Sequence, residues 1–221
     1  GRLDTAARSL ALLNAKTKEE AARLAGDLTA LNQSRKALTE KGKEEAIRII
    51  ETTELKNDRV LVVYLPDCHE SLAGIIAGRI REKYHRPAFV LTGGETSAKG
   101  SGRSIESYSM YEELVKCADL MIQFGGHPMA AGLSIEEKNI EEFRRRLNVN
   151  CTLMDEELRP KIVIDVPMPV SYITKELVEQ ISLLEPFGKG NTKPVFAQKN
   201  LRVLDYSIIG KNKNVVKLKL L

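Results

Sequence analysis

The sequence predicts an α/β protein built from a long connecting helix, an α/β domain and a partial small β-barrel. Apolar residues keep a helical spacing from about residue 18 to residue 51. Two continuous apolar runs follow at 60–65 and 88–91, and such runs are typical of strands covered on both faces. Near the end of the chain lysine alternates with apolar residues, which indicates a half-exposed strand of a small barrel.

The first part of the chain is predicted to be helical. Residues 3–14 place apolar side chains on one stripe, and Thr17 with Glu20 forms the pattern of a capping box that begins a second helix. This helix is expected to run to about Glu51, although Gly42 weakens it by about 1 kcal/mol relative to alanine. Because its apolar stripe is narrow, we expect a connector that lies across a domain.

The α/β domain is predicted to begin with a strand–helix–strand unit. The strand at 60–65 is followed by a helix at about 69–84, for which Asp67 and Ser71 are both plausible N-caps, and by the strand at 88–91. A unit of this kind places its two strands parallel, with a right-handed crossover.

The remaining elements alternate between strands and helices. In the α/β domain we expect a strand at 97–105, a helix at 111–120, a strand at 131–135 and a helix at 136–147. After a linker at about 155–160 we expect a strand at 161–166, a helix at 174–185 and three β-segments around 194–197, 201–209 and 214–221.

Two glycine-rich segments, 100–104 and 125–127, are the strongest candidates for a binding site. We predict that both form corners whose exposed N–H groups bind an anion, the first of them carried by the strand expected at 97–105, because glycine admits positive φ and close approach. Arg103 offers a planar donor fork for phosphate, and His127 can donate, accept or carry charge. In the purely structural alternative the glycines are only turns, and Arg103 pairs with an acid such as Glu106. The candidate phosphate-binding residues are Ser101, Gly102, Arg103, Ser104, Gly125, Gly126 and His127.

A third polar cluster, 67–71, follows the first strand and opens the next helix. Ligands bind at this position in open α/β sheets, and a helix N-terminus favours an anion. We therefore predict that His69 contacts substrate. A metal site formed by Asp67, His69 and Glu70 is disfavoured, because three side chains within four residues at the start of a helix do not point to a common centre.

The basic residues are concentrated at the end of the chain. The formal net charge is only +4, but the segment from Phe187 onward contains eight basic residues and a single acid, Asp205. This indicates a surface for a polyanion, with an ordinary solvated lysine face as the alternative. The candidate nucleic-acid contacts are Lys189, Lys193, Arg202, Lys211, Lys213 and Tyr206, the last of which would stack on a base or lie in the barrel core.

Several classes of protein are disfavoured. The three cysteines are widely spaced and form no CxxC pair, which argues against a disulfide framework and a structural zinc site. The apolar runs are too short to cross a bilayer and no signal peptide is evident, so we expect a cytoplasmic protein with no membrane partner. The residues supply no complete catalytic set. Because the chain begins without methionine, we expect a piece of a longer protein.

Four segments in the same order resemble the RecJ family, exonucleases of the DHH phosphoesterase superfamily that act on single-stranded DNA. They are 69–77, 98–104 (AKGSGRS), 124–133 (FGGHPMAAGL) and 184–191 (LEPFGKGN). The resemblance implies an α/β fold with a connecting helix at 1–54, a DHH-associated substrate-binding domain with a mixed sheet at 55–157, and a partial OB-like (oligonucleotide-binding) β-barrel at 158–221. The sequence departs from the family at Cys68, where an aromatic residue is common.

The resemblance also implies a function. The family digests single-stranded DNA from the 5′ end in repair and recombination, with Mn²⁺ or Mg²⁺ held by an upstream DHH domain. This chain alone would then be inactive and without a cofactor, and its partners would be single-stranded DNA and that domain. Ser101 and Arg103 would hold the 5′-terminal phosphate, and the Gly-Gly-His segment would line the same cleft. Short-oligonucleotide and cyclic-dinucleotide phosphodiesterases share the glycine-rich histidine segment but not the OB segment. A stand-alone nucleotide or single-strand binding module is the other alternative.

Overall fold

The computed structural model describes residues 6–210 and 212–221, which divide into two compact units between Pro160 and Lys161. The first unit begins with two helices, α1 (Ala7–Leu13) and α2 (Lys18–Thr52). The predicted capping box is confirmed, because the Thr17 hydroxyl accepts the Glu20 N–H at 3.2 Å. Positions 3–5 of the helix predicted at 3–14 lie outside the described residues.

Helix α2 is buried only near its C-terminal end, at Ala46 and Ile50, which fits a connector. Gly42 has a packing role that its helix propensity does not predict. A Cβ atom at this position would lie 2.6 Å from Ile76 Cδ1, so glycine lets α2 approach α3 (Glu70–Tyr84) closely.

A five-stranded mixed sheet forms the centre of the first unit. Its strands, β1 (Leu61–Leu65), β2 (Ala88–Thr92), β3 (Ala98–Arg103), β4 (Met121–His127) and β5 (Ala130–Ile135), lie in the order β1-β2-β3-β5-β4. The predicted β1–α3–β2 unit is confirmed, since β1 and β2 are parallel. The other three strand pairs are antiparallel.

Both faces of the sheet are covered, as the continuous apolar run of β1 predicts. Leu61 and Val63 belong to a core formed with α2 and α3, whereas Val62 belongs to a core on the opposite face. That second core includes residues of α4 (Met110–Val115) and α5 (Ile140–Asn150), with the rings of Phe89 and Phe143 packed edge to face at 5.4 Å.

Several predicted helix boundaries are wrong. The residue that caps α3 is His69, not Asp67 or Ser71, because its Nδ1 accepts the Ser71 N–H at 3.2 Å. The helix predicted at 111–120 is α4 followed by a 3₁₀ turn at Ala118–Leu120. The helix predicted at 136–147 begins later, at Ile140, after a 3₁₀ turn at Glu137–Asn139.

The second unit consists of short elements. They are β6 (Val166–Pro167), α6 (Lys175–Ser182), β7 (Phe196–Ala197), β8 (Val203–Ile209) and β9 (Val215–Leu220). Strands β6 and β7 pair in parallel, and β8 and β9 form an antiparallel hairpin. The strand predicted at 161–166 is wrong except at its last residue. Among residues 161–210 and 212–221 none is buried, which fits a partial rather than a closed barrel.

A candidate phosphate-binding groove

The strand predicted at 97–105 is confirmed as β3, but the corners predicted within the two glycine-rich segments are wrong. Residues 100–103 lie inside β3, and 125–127 lie in the edge strand β4. Packing explains the glycines of β3, because a Cβ atom on Gly102 would lie 2.6 Å from the Phe89 ring. Of the predicted glycines only Gly126 has positive φ, at 151°.

The register of the sheet brings the two segments together. Strand β5 lies between β3 and β4, and Gly132 on β5 pairs with Ser101 on one side and Gly125 on the other. Ala130 lies two residues before Gly132 on β5 and therefore on the same face, and it pairs with Arg103 and with His127. Since neighbouring strands lie about 4.8 Å apart, the two segments face each other across about 10 Å of sheet.

This part of the sheet forms the floor of an open groove. Helix α3 packs on β2 and β3, and beside it lies a cavity of about 510 Å³. Gly125 and Gly132 leave the floor of the groove without side chains. A Cβ atom on Gly125 would have nothing within 4 Å, and a Cβ atom on Gly132 would have only the Gly100 oxygen, at 3.8 Å, so side chains there would project into open space. The groove is lined by Glu70, Ser71, Ala73, Lys99, Gly100, Ser101, Gln123, Phe124, Gly125, Gly132, Leu133 and Ser134.

Arg103 lies on β3 just beyond the residues that line this groove, beneath α3. Its Nη1 donates to the Gly102 carbonyl at 2.7 Å. A Cβ on Gly74 of α3 would lie 2.7 Å from Arg103 Nη2 and 3.4 Å from Ser101 Oγ. Glycine at position 74 therefore leaves room for the guanidinium beside the Ser101 hydroxyl, and two donors suited to one anion converge there.

The other candidates of this group have different places. His127 occupies the edge strand, and its Nδ1 accepts the Met129 N–H at 3.2 Å. Ser104 is buried, and its hydroxyl donates to the Tyr108 carbonyl at 2.6 Å, so it does not line the groove. Ser101 and Gly125 line the groove directly.

His69 lines a different cavity. That cavity, of about 710 Å³, lies between α2 and the end of β1 and also includes Asp67 and Cys68. Burial raises the pKa of the Cys68 thiol, which makes it a poor nucleophile at neutral pH. His69 therefore does not line the groove itself, although its Nδ1 lies 2.8 Å from the Oγ of Ser71, which does.

Sequence reasoning missed most residues of the groove region, and five of them matter for the argument below. They are Gly74, Lys99, Gln123, Gly132 and Ser134. The signal was strand alternation, because Lys99 lies two residues before Ser101 and Gln123 two before Gly125. Residues two apart on a strand share a face. Treating 125–127 as a turn hid this pattern.

Lys99 and Glu70 form an ion pair at the end of the groove away from Arg103, with Nζ 2.6 Å from the carboxylate. Both side chains are about half exposed. This hydrogen bond lowers the pKa of Glu70 and raises that of Lys99, so both groups are charged at neutral pH.

The candidate nucleic-acid contacts of the second unit are all exposed where they are described. Tyr206 pairs with Leu218 across the hairpin, whereas Lys217 and Lys219 pair with Ser207 and Asp205. Successive residues of a strand point to opposite faces, so Tyr206 shares the apolar face and not the lysine face. Lys189, Lys193, Arg202 and Lys213 lie in loops or next to the hairpin strands, and Lys211 lies outside the described residues.

Two absences can be stated for the described part of the chain. Among residues 6–210 and 212–221 no group of three His, Cys, Asp or Glu side chains is placed to hold a metal ion. No helix within those residues is both long enough and apolar enough for a bilayer.

Comparisons with known proteins identify both units. The DHHA1 domain model matches residues 57–151, and the RecJ OB domain model matches residues 164–221. The single-stranded-DNA-specific exonuclease RecJ of Bacillus subtilis is 35% identical over 99% of this chain and 28% of its own length. RecJ of Escherichia coli is 35% identical over 95% of this chain and 38% of its own length.

Solved structures agree with these matches. The crystal structure of RecJ in complex with Mg²⁺ from Thermus thermophilus superimposes with a TM-score of 0.76 at 27% identity, over 99% of this chain and 34% of that one. A crystal structure of exonuclease RecJ bound to manganese gives a TM-score of 0.59 at 32% identity, over 67% of this chain and 36% of that one. The chain thus spans well under half of the length of these relatives, and with its DHHA1 and OB domains it belongs to the RecJ family of exonucleases.

Proposed function

We propose that this chain is the substrate-binding part of a 5′-to-3′ exonuclease that acts on single-stranded DNA in repair and recombination. In this proposal the groove between α3 and β4 holds the 5′-terminal phosphate. The observation that carries it is the register of the sheet, which places Ser101 and Arg103 across β5 from Gly125 and His127 on one open face.

The chemistry of the groove supports an anion. A guanidinium donates two parallel hydrogen bonds to phosphate oxygens, and the Ser101 hydroxyl adds a third donor. Because His127 Nδ1 accepts the Met129 N–H, a neutral His127 ring carries its proton on Nε2, which is then a donor. The glycine floor lets a nucleotide approach the main chain closely.

The proposal divides the chain into three parts. Residues 1–54 connect to the catalytic DHH domain, 55–157 bind the 5′ end, and 158–221 bind the following strand through the basic residues of the OB unit. Candidate strand contacts are Lys189, Lys193, Arg202, Lys211, Lys213 and Tyr206. Tyr206 is the weakest of them, because it shares a face with Leu218.

The metal that this reaction needs does not fit the residues described here, which offer no suitable ligand set. We propose that the DHH domain holds it, as Mn²⁺ or Mg²⁺. Bound there, such an ion would activate water and would stabilise charge on the phosphate. This chain would bind and position the strand.

The proposal is tested by the end preference of the chain. The affinity for a 5′-phosphorylated oligothymidylate is compared with that for the same strand carrying a 5′-hydroxyl, by fluorescence anisotropy with EDTA present. We expect the phosphorylated strand to bind about tenfold more tightly or better, because a charge-assisted hydrogen bond contributes about 1.5–3 kcal/mol. Equal affinities for the two strands would rule out a 5′-phosphate pocket.

A further inference from the structure

The groove contains a second cationic position that the proposed 5′-phosphate pocket does not use. Lys99 lies on β3 two residues before Ser101, and it pairs with Ser134 on β5, which in turn pairs with Gln123 on β4. These three residues form a polar row across the sheet. It lies parallel to the row of Ser101, Gly132 and Gly125.

The spacing along β3 suits a nucleic-acid strand. A β-strand rises about 3.3 Å per residue, so the Lys99 row lies about 6.6 Å from the Ser101 row. Neighbouring phosphates of an extended nucleic-acid strand are separated by a similar distance. A terminal phosphate beside Ser101 and the Arg103 guanidinium would therefore place the next phosphate near Lys99.

The partner of Lys99 is exchangeable. The Lys99 and Glu70 side chains remain 55% and 52% exposed although Nζ lies 2.6 Å from the carboxylate. Exposed ion pairs contribute little to stability. A phosphodiester that enters the groove can therefore replace Glu70 as the counter-ion of Lys99. Glu70 also places a negative charge where a phosphate would have to enter.

We propose that Lys99 binds the second phosphate of the strand, the one between the first and second nucleotides, in exchange for Glu70. The groove then recognises the 5′-terminal nucleotide as a unit with a phosphate on each side. This inference rests on the proposed function above, since it takes the terminal phosphate to lie beside Ser101 and Arg103.

The test combines a protein change with a chemical change in the strand. Binding of a 5′-phosphorylated oligothymidylate is compared with binding of a strand whose first internucleotide phosphate is a neutral methylphosphonate. With the natural strand, Lys99→Ala should lower the affinity about five- to twentyfold. With the methylphosphonate strand, Lys99→Ala should cause no further loss of affinity, because the charge that Lys99 contacts is absent.

Two more variants separate binding from a structural role. Glu70→Gln keeps the shape of the side chain but frees Lys99, so the natural strand should bind as well as before or about twofold more tightly. If the ion pair only holds α3 on β3, Glu70→Gln and Lys99→Ala should weaken binding alike, which would overturn the inference. Lys116→Ala is the matched control, because it breaks an ion pair of the same 2.6 Å length and similar lysine exposure. It should leave binding unchanged.

Failure of this inference can be told apart from failure of the proposed function. A Lys99→Ala penalty that is equal on both strands, or absent on both, would overturn the Lys99 assignment while Arg103→Ala still abolished the end preference. If Arg103→Ala kept the preference for 5′-phosphate, the terminal pocket would be wrong, and the second-phosphate assignment would fail with it. Thermal unfolding of each variant confirms that the folded protein is being compared.

Discussion

Replacing Arg103 by alanine should abolish most of the preference for a 5′-phosphorylated end. The guanidinium is held beside Ser101 Oγ under Gly74, and its Nη1 donates to the Gly102 carbonyl at 2.7 Å. Loss of a charge-assisted hydrogen bond costs about 1.5–3 kcal/mol, which is about a ten- to hundredfold change in affinity. Arg103→Lys should recover little, because an ammonium cannot reproduce the planar fork.

The fold should tolerate these changes. Arg103 is only half-buried and is not part of either hydrophobic core, so its truncation should not open a cavity in the core. Gly74→Ala offers an independent route to the same effect, because the new Cβ would lie 2.7 Å from Arg103 Nη2 and displace the guanidinium without removing it. We expect a partial loss of end preference for this variant.

The assay is fluorescence anisotropy with 5′-phosphate and 5′-hydroxyl strands, read as the ratio of the two dissociation constants. Arg79→Ala is the control, because Arg79 lies on α3 and forms an exposed ion pair with Glu82 at 2.9 Å. Its ratio should match the wild type. The reasoning is refuted if Arg103→Ala retains the wild-type ratio, or if the variant simply unfolds, since Arg103 would then have a structural role.

Four further predictions concern nuclease activity, the salt dependence of binding and two glycines of the sheet. Purified chain should release no mononucleotides from 5′-phosphorylated single strands with Mn²⁺ or Mg²⁺, and dose-dependent, metal-dependent release would contradict this. Binding of a longer single strand should weaken steeply with salt because phosphate neutralisation releases counterions, and a flat titration would count against the basic OB surface. Gly102→Ala should lower the free energy of unfolding by about 1–3 kcal/mol through overlap with Phe89. Gly125→Ala meets nothing within 4 Å, so it should leave stability unchanged while narrowing the groove, which thermal unfolding and strand binding measure together.

The local sequence determined those secondary-structure elements whose sequence patterns span only a few neighbouring residues. The capping box at Thr17 marks the start of α2, since the residues that satisfy the helix N-terminus are neighbours in the chain. The continuous apolar run of β1 predicts a strand covered on both faces, and Val62 and Val63 do lie in opposite cores. The motif order places the chain in its family, which the two domain models confirm.

Tertiary packing alone decided the structure of the glycine-rich segments. Glycine is depleted in strands and usually marks turns, so the glycines of AKGSGRS and FGGH suggested corners by local propensity. Position 102 of the strand is glycine because Phe89 leaves no room for a side chain. Tertiary structure also decided which residue caps α3. The N-cap is His69, although Asp67 and Ser71 are residue types more common at this position.

The candidate groove was visible in the sequence only as two separate motifs. Ser101 and Arg103 were identified from their chemistry, but Gly74, Lys99 and Gly132 were not, because their importance depends on which strands are neighbours. The insertion of β5 between β3 and β4 places Gly132 between Ser101 and Gly125. Strand order and register are set by contacts between residues far apart in the chain. The sequence by itself therefore determined the elements and the family, and only the tertiary structure decided which side chains share the groove.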